Sequence, residues 1–183
     1  MSVGLVTSDV MANLPIFKGL DLEDLNRLAE IASIVSHEPG TFVLRQGGSR
    51  QSLFVVLEGE CRVIKQTAAN SSGPTVLAEL GPRDHFGEMS FFHAAPHSAS
   101  VEATTQLELL TITRDRYDEL IDEGAPAAYK LALGCVDVLA DRLRKMDEWV
   151  LDLLCEDQPD ASANEWTSFR EKLFADGISG HAI

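Results

Sequence analysis

The residue types that could do chemistry are concentrated in residues 84–103, which read DHFGEMSFFHAAPHSASVEA. Gly87 lets the backbone approach a ligand without a Cβ atom in the way, and Glu88 supplies a carboxylate. The apolar run after them predicts one helical turn from Met89 to Phe92, whose first backbone N–H groups favour an anion. A buried Glu88 requires a hydrogen-bond donor, and a sugar hydroxyl can be one. These residues therefore predict a site for an anion and a hydroxyl group together, which is a phosphosugar pocket.

The residues after this turn predict the opposite wall of the pocket. Ala94-Ala95-Pro96 ends the helical turn, and an extended strand resumes from Ser98 to Thr104. The side chains of Ser98, Ala99 and Ser100 are small, so they leave space beside the strand. A ligand can then lie between this strand and the helical turn.

Short strands must hold this stretch in place. From Ile34 onward apolar residues recur with a period of two, in runs rich in Val, Ile and Phe that are separated by Gly- and Pro-containing turns. The predicted strands are Ile34–His37, Thr41–Gln46, Leu53–Leu57, Cys61–Lys65, Thr75–Leu80, Ser98–Thr104 and Leu107–Thr113. Many short strands with frequent turns indicate a mainly β fold with flanking helices, built as an antiparallel β-roll or jelly roll (a double-stranded β-helix).

Helices are predicted on both sides of these strands. Asp21, followed three residues later by Asp24, predicts the start of an amphipathic helix within a lead-in of residues 1–33. The β-roll is expected to occupy residues 34–125 and to end with a short helix from Asp115 to Ile121. A long helix then follows.

This long helix, residues 126–155, is predicted to pair with a second copy of the chain. From about Ala127 to Leu154 its apolar residues recur at alternating steps of 3 and 4. One set is Tyr129, Val136, Leu143 and Val150, and the other is Ala132, Leu139, Met146 and Leu153. One small β-roll is too short to cover such a helix, so the pattern favours a homodimer over a helix packed only on its own domain. Residues 156–183 are predicted to form a polar linker and a short helix from Trp166 to Phe174.

Composition and charge exclude several classes of function. The 183 residues carry 29 acidic and 15 basic side chains, a net charge of −14, which argues against a nucleic-acid or anionic membrane surface as the main partner. Cys61, Cys135 and Cys155 are far apart, which favours free thiols over a disulfide framework or a zinc site. No basic leader and no apolar run near about 18 residues is present in the sequence. We therefore expect a cytoplasmic protein without a membrane partner.

The run FGEMSFFHAAPHSASV resembles the phosphate-binding cassette of the cyclic nucleotide-binding domains. These domains occur in catabolite-activator-type regulators, cAMP-dependent kinase regulatory subunits and cyclic-nucleotide-gated channels. The family pattern is Phe-Gly-Glu, two or three apolar residues, a short variable stretch, Pro-Arg, a small residue, Ala, Ser or Thr, and Val. The resemblance extends over roughly residues 13–155 and implies the family's β-roll.

The resemblance implies a regulatory ligand, cAMP or cGMP, and no metal. Glu88 would accept a hydrogen bond from the ribose 2′-hydroxyl, backbone N–H groups would meet the cyclic phosphate, and Ser98 could add a hydroxyl donor. The implied ligand-binding residues are Gly87, Glu88, Met89, Ser90, His97, Ser98 and Ala99. The implied output is a movement of the long helix or its tail toward a protein partner.

The chain departs from the family pattern at the position that contacts the phosphate. His97 stands where the family has arginine, and Arg50-Gln51 stands where many members have Gly-Asp. Three interpretations of His97 remain open. The ring is a weaker phosphate partner, or the pocket has changed ligand or lost it, or another cation replaces the arginine; the candidates are Arg45, Arg83 and His85.

Other functions are less well supported by the sequence. His85, His93, His97 and Glu88 could suggest a metal site on a similar jelly roll, but their spacing lacks the His-x-His of such sites. No serine or cysteine has the setting of a nucleophile, so we expect no enzyme. Fewer than thirty residues follow the long helix, so we expect no helix-turn-helix domain and no DNA binding by this chain alone. A dimeric interaction module without a nucleotide is the remaining alternative.

Overall fold

The computed structural model describes residues 6–67 and 73–157, which form eight strands and five α-helices within these ranges. The strands are β1 (Ala32–His37), β2 (Phe42–Leu44), β3 (Ser52–Glu58), β4 (Cys61–Lys65), β5 (Thr75–Leu80), β6 (His85–Phe86), β7 (Ser100–Ala103) and β8 (Leu107–Thr113). The helices are α1 (Ser8–Ala12), α2 (Leu22–Ile31), α3 (Glu88–Phe92), α4 (Arg114–Asp122) and α5 (Pro126–Asp157), with a 3-10 turn at Pro15–Phe17.

The strands form two four-stranded sheets, in the orders β1-β8-β3-β6 and β2-β7-β4-β5. Every strand pairing is antiparallel, which confirms the predicted β-roll with flanking helices. Strand β7 begins at Ser100, opposite Ile64 of β4, which is two residues later than predicted, because Ser98 and Ala99 pair with neither β2 nor β4. Strand β6 was not predicted as a separate element because two residues carry no periodicity.

Strand β3 is buried on both of its faces, which explains its continuous apolar sequence. Phe54 and Val56 face the core between the two sheets, together with Val43, Phe86, Val101, Leu107 and Leu109. Leu53 and Val55 face the opposite side, where Met11, Phe17, Leu28, Tyr117 and Leu131 pack on the first sheet. The cassette follows β6, the edge partner of β3, so the cassette begins on a rigid base.

Helix α2 begins at the predicted N-terminal cap. The Asp24 N–H donates to Asp21 Oδ1 at 3.0 Å and the Asp21 N–H donates to Asp24 Oδ2 at 3.3 Å. Lys130 of α5 donates to both carboxylates, at 3.0 Å to Asp21. This contact joins the lead-in to the first turns of α5.

The boundary between two compact units of the chain falls within α5, between Cys135 and Val136. In the first unit Leu131 and Cys135 are buried in the apolar core that covers the first sheet. In the second unit Val136, Leu143 and Met146 are more than half exposed, and they belong to the predicted pairing seam. The helix ends at Asp157, inside the predicted linker, and the predicted Trp166–Phe174 helix lies outside the described residues.

The hydropathy of the helices bears on a membrane location. Among the described residues, no helix is both long and apolar enough to cross a bilayer.

Candidate functional site

The site begins at Gly87, whose backbone lies in the left-handed region (φ +89°) between β6 and α3. A Cβ atom at this position would lie 2.3 Å from Ser52 O and 3.1 Å from Phe54 Cδ2. Phe86, the residue before it, stacks on Phe54 with ring centroids 5.0 Å apart. Position 87 must therefore be glycine, both for its dihedral angles and for the contact with β3.

Helix α3 presents its N-terminus next to this glycine. The first N–H groups of a helix have no partners within the helix, and Gly87 has no side chain that could cap them in α3. The N–H groups of the first turn of α3 are therefore suited to bind an anion. Glu88 is buried, at 3% exposure, whereas Met89 is 65% exposed. Ser90 is buried and its hydroxyl donates to Gly87 O at 3.2 Å. The structure thus places the Glu88 carboxylate in the first turn of α3, and a role of this turn in anion binding stays a prediction.

His97 lies against the loop of residues 45–51, which connects β2 to β3. Its N–H donates to Gly48 O at 2.8 Å, and its carbonyl accepts from the Gly47 N–H at 2.9 Å. The imidazole is 8% exposed, and its Nε2 has no hydrogen-bond partner among the described residues. Burial lowers the pKa of His97 below its ordinary value of 6.5, so the ring is neutral near pH 7. It offers a hydrogen bond, but no charge, at neutral pH.

The predicted opposite wall is only partly available to a ligand. Ser98 is exposed and Ala99 is half-buried. The Ser100 hydroxyl accepts a hydrogen bond from the Gln46 N–H at 2.9 Å, so it holds β7 to the end of β2. Ser98 and Ala99 therefore keep accessible surface, and their contact with a ligand stays a prediction.

The three cations considered as substitutes for the family arginine lie in different places. The Arg45 guanidinium stacks over the Phe42 ring at 4.3 Å, while its carbonyl accepts from the Gly48 N–H beside His97. Arg83 lines a separate cavity of about 320 Å³ against residues 12–25. His85 is buried in β6, opposite Val55. Arg45 is therefore linked to His97 through the backbone hydrogen bonds of Gly48.

Two residues that were not assigned from the sequence hold the other end of α3. Gln51 Nε2 donates to Ser90 O at 3.0 Å, and Arg114 Nη1 donates to Phe91 O at 3.0 Å. The departure from the family pattern at Gln51 was visible in the sequence, but its contact was not. Arg114 follows β8 directly and carries no sequence signal of this role.

The histidines and acids near the cassette do not form a metal site. In the described ranges, no group of three or more His, Cys, Asp and Glu side chains is placed to hold a metal ion.

Comparison with protein families identifies residues 34–124 with the family described as the cyclic nucleotide-binding domain. A cyclic AMP receptor protein of Thermus thermophilus is 33% identical over 144 residues, which cover 79% of this chain and 63% of that protein. A cAMP-dependent protein kinase regulatory subunit of Schizosaccharomyces pombe is 26% identical over 117 residues, 64% of this chain but only 27% of the relative. The chain therefore spans less than two thirds of either relative.

A solved structure agrees with these matches at the level of the fold. The crystal structure of a cyclic nucleotide-binding domain from Methylobacillus flagellatus KT superposes with a TM-score of 0.68 at 22% identity, covering 79% of this chain and 80% of that one. At this identity the similarity establishes the β-roll architecture.

Proposed function

Residues 34–124 of this chain belong to the cyclic nucleotide-binding domain family, and on that premise we propose that the chain binds cAMP or cGMP as a regulatory ligand. The observation that carries this proposal is the Gly87–Glu88 turn: a glycine that no other residue can replace, followed by a buried carboxylate at the start of α3. Similarity to proteins named for cAMP supports the same ligand class. The role is binding and regulation, and we assign no catalytic step.

In the proposed complex the cassette backbone carries most of the phosphate contact. The N–H groups of Gly87, Glu88, Met89 and Ala99 would meet the cyclic phosphate, with Ser90 supporting the turn and Ser98 adding a hydroxyl. The Glu88 carboxylate would accept from the ribose 2′-hydroxyl, because a buried carboxylate is stabilised by donors. No metal is needed for these contacts.

His97 weakens this contact compared with the family arginine. An imidazolium has one charge and two N–H donors, whereas a guanidinium binds phosphate through a planar fork. The loss of one charge-assisted hydrogen bond costs about 1.5–3 kcal/mol, or roughly tenfold to a hundredfold in affinity. Since His97 is neutral in the free protein near pH 7, a bound phosphate would raise its pKa and draw a proton onto the ring. Affinity should therefore rise as the pH falls.

The proposed output passes through α5. Its exposed apolar positions Val136, Leu143 and Met146 favour a homodimer, and ligand binding would bias the arrangement of this helix or of the tail toward a protein partner. A membrane or DNA partner is not part of the proposal, because the chain is strongly acidic. The proposed location is the cytoplasm.

The test is calorimetric titration of cAMP and of cGMP into the wild-type protein and a His97→Arg variant, at pH 6.0 and pH 8.0. We expect weak wild-type binding that is tighter at pH 6.0, and binding at least about tenfold tighter and independent of pH in the variant. His93→Arg, an exposed change in the same loop, is the matched control and should leave affinity unchanged. Equal wild-type binding at both pH values would instead assign the phosphate charge to an arginine, with Arg45 as the candidate linked to His97 through Gly48.

A second candidate function is favoured by the neutral, buried state of His97. Without a cation at this position, the β-roll could serve as a dimeric interaction module that has a different small ligand or none. The first function would be rejected, and this one supported, if neither nucleotide gave a heat of binding with the wild type or with His97→Arg, provided that the samples sediment as a folded dimer.

A further inference from the structure

Helix α3, which carries the ligand-binding backbone, is only five residues long. A helix of this length is not stable alone, because few hydrogen bonds compensate for the entropy of its first turn. Its last carbonyl groups also have no donors within the helix and need partners from elsewhere. The position of its N–H groups therefore depends on what holds its C-terminal end.

Arg114 and Gln51 supply these partners from two different elements. Arg114, at the start of α4, donates from Nη1 to Phe91 O at 3.0 Å. Gln51, in the loop before β3, donates from Nε2 to Ser90 O at 3.0 Å. The two residues are themselves joined, because the Arg114 N–H donates to Gln51 O at 2.9 Å. The C-terminal end of α3 is thus fixed by one connected pair.

The guanidinium of Arg114 is held in position by further contacts. Its Nε donates to Asp118 Oδ1 at 2.7 Å, and its Cζ lies 5.7 Å from the centroid of the Tyr117 ring. Tyr117 in turn packs against Phe91, with ring centroids 5.0 Å apart. The two bonds leave from different nitrogens of the guanidinium, so its planar fork bridges Asp118 and the Phe91 carbonyl.

We infer that Arg114 is a positioning residue of the ligand site: it sets the place of the cassette backbone through the Phe91 carbonyl without touching the ligand itself. The inference rests on the proposed function only where it concerns nucleotide affinity. Its effect on α3 exists without a ligand and can be measured separately.

The test compares Arg114→Lys with Arg116→Lys in the full chain. Lysine keeps the positive charge but not the fork, so a change in affinity cannot come from charge alone. Arg116 lies two residues further along α4, in an exposed ion pair with Glu119, and is the matched control. The first measurement is amide hydrogen exchange of the ligand-free proteins, read at Phe91 and His93, whose N–H groups bond to Gly87 O and Met89 O.

We expect Arg114→Lys to speed exchange at these two amides by about tenfold. The thermal midpoint should fall by no more than the same loss of free energy accounts for. Titration should show cAMP or cGMP binding weakened by about tenfold, and Arg116→Lys should change neither quantity. The inference would be overturned if Arg114→Lys left exchange at α3 unchanged, or if both variants changed it equally. It would also be overturned if Arg114→Lys sped exchange but left nucleotide affinity unaltered.

Failure of the proposed function gives a different result. Suppose that neither the wild type nor either variant binds a nucleotide, while exchange at α3 is faster in Arg114→Lys alone. The proposed function would then be rejected, but Arg114 would still position the cassette turn.

Discussion

Replacement of Gly87 by alanine should damage the cassette turn more than the same change at any unobstructed glycine. Two costs add at this position. Alanine in the left-handed region is disfavoured by about 1–2 kcal/mol relative to glycine. The new Cβ would also lie 2.3 Å from Ser52 O, so β6 or β3 must move, which costs about 1–3 kcal/mol in a well-packed region. We expect a total loss of about 2–5 kcal/mol in the free energy of unfolding.

Gly40 offers a matched control, because its φ of +79° is similar but no atom lies within 4 Å of the place that a Cβ atom would take. Gly40→Ala should therefore lose only the conformational cost, about 1–2 kcal/mol. Urea unfolding of both variants and the wild type, followed by circular dichroism, measures the difference between them. The midpoint of Gly87→Ala should be clearly lower, and nucleotide titration should show a loss of binding for this variant only.

Equal midpoints for the two variants would refute this reasoning. They would mean that the turn relaxes around the added methyl group, so that contact with the Ser52 carbonyl does not fix the cassette. A changed slope of the unfolding curve would point to an altered unfolded state, so the comparison uses midpoints at equal slope.

Two further predictions concern the helices. Tyr117→Phe removes the buried hydrogen bond of 2.9 Å from the Tyr117 hydroxyl to Ala128 O, in the first turn of α5, and should lower the free energy of unfolding in urea by about 1 kcal/mol. Tyr129 is 68% exposed, so Tyr129→Phe is the control and should leave this free energy unchanged. Equal losses in the two variants would contradict the role of the hydrogen bond. The pKa of Asp21 is lowered by the Asp24 N–H and then by Lys130, so its stabilising effect is complete above the ordinary value of 3.8 and lost as the pH falls below it. Lys130→Met should flatten the fall of the thermal midpoint between about pH 5 and pH 2.5, and an unchanged profile would show that the contact contributes nothing.

The parts of the fold that follow from local chemistry were predictable from the sequence. The alternating strands, the capping box at Asp21 and the glycine turn at Gly87 each depend on residues adjacent in the chain, so their patterns are visible without a structure. The buried state of Glu88 does not follow from local chemistry in this way, because an acidic residue in the first turn of a helix is also favourable on the surface.

The support of the cassette was not predictable in the same way. Gln51 and Ser90 are 39 residues apart, and Arg114 and Phe91 are 23 apart. The acceptors are main-chain carbonyls, which every residue has, so no residue type at positions 90 and 91 marks the contact. The burial of His97, and hence the direction of its pKa shift, likewise depends on Gly48, which lies far from it in sequence.

The place of β8 in the first sheet has a consequence for the order of folding. It forms ladders with both β1 and β3, in which Ala32 lies opposite Ile112 and Ser52 lies opposite Thr113. During synthesis, β1, β3 and the whole cassette leave the ribosome before β8 does, so this sheet cannot close until residue 113 is available. Such long-range pairing slows folding, because the chain between the paired strands must close into a loop before their contacts form. The ligand site is therefore completed late, by a strand that contains none of its residues.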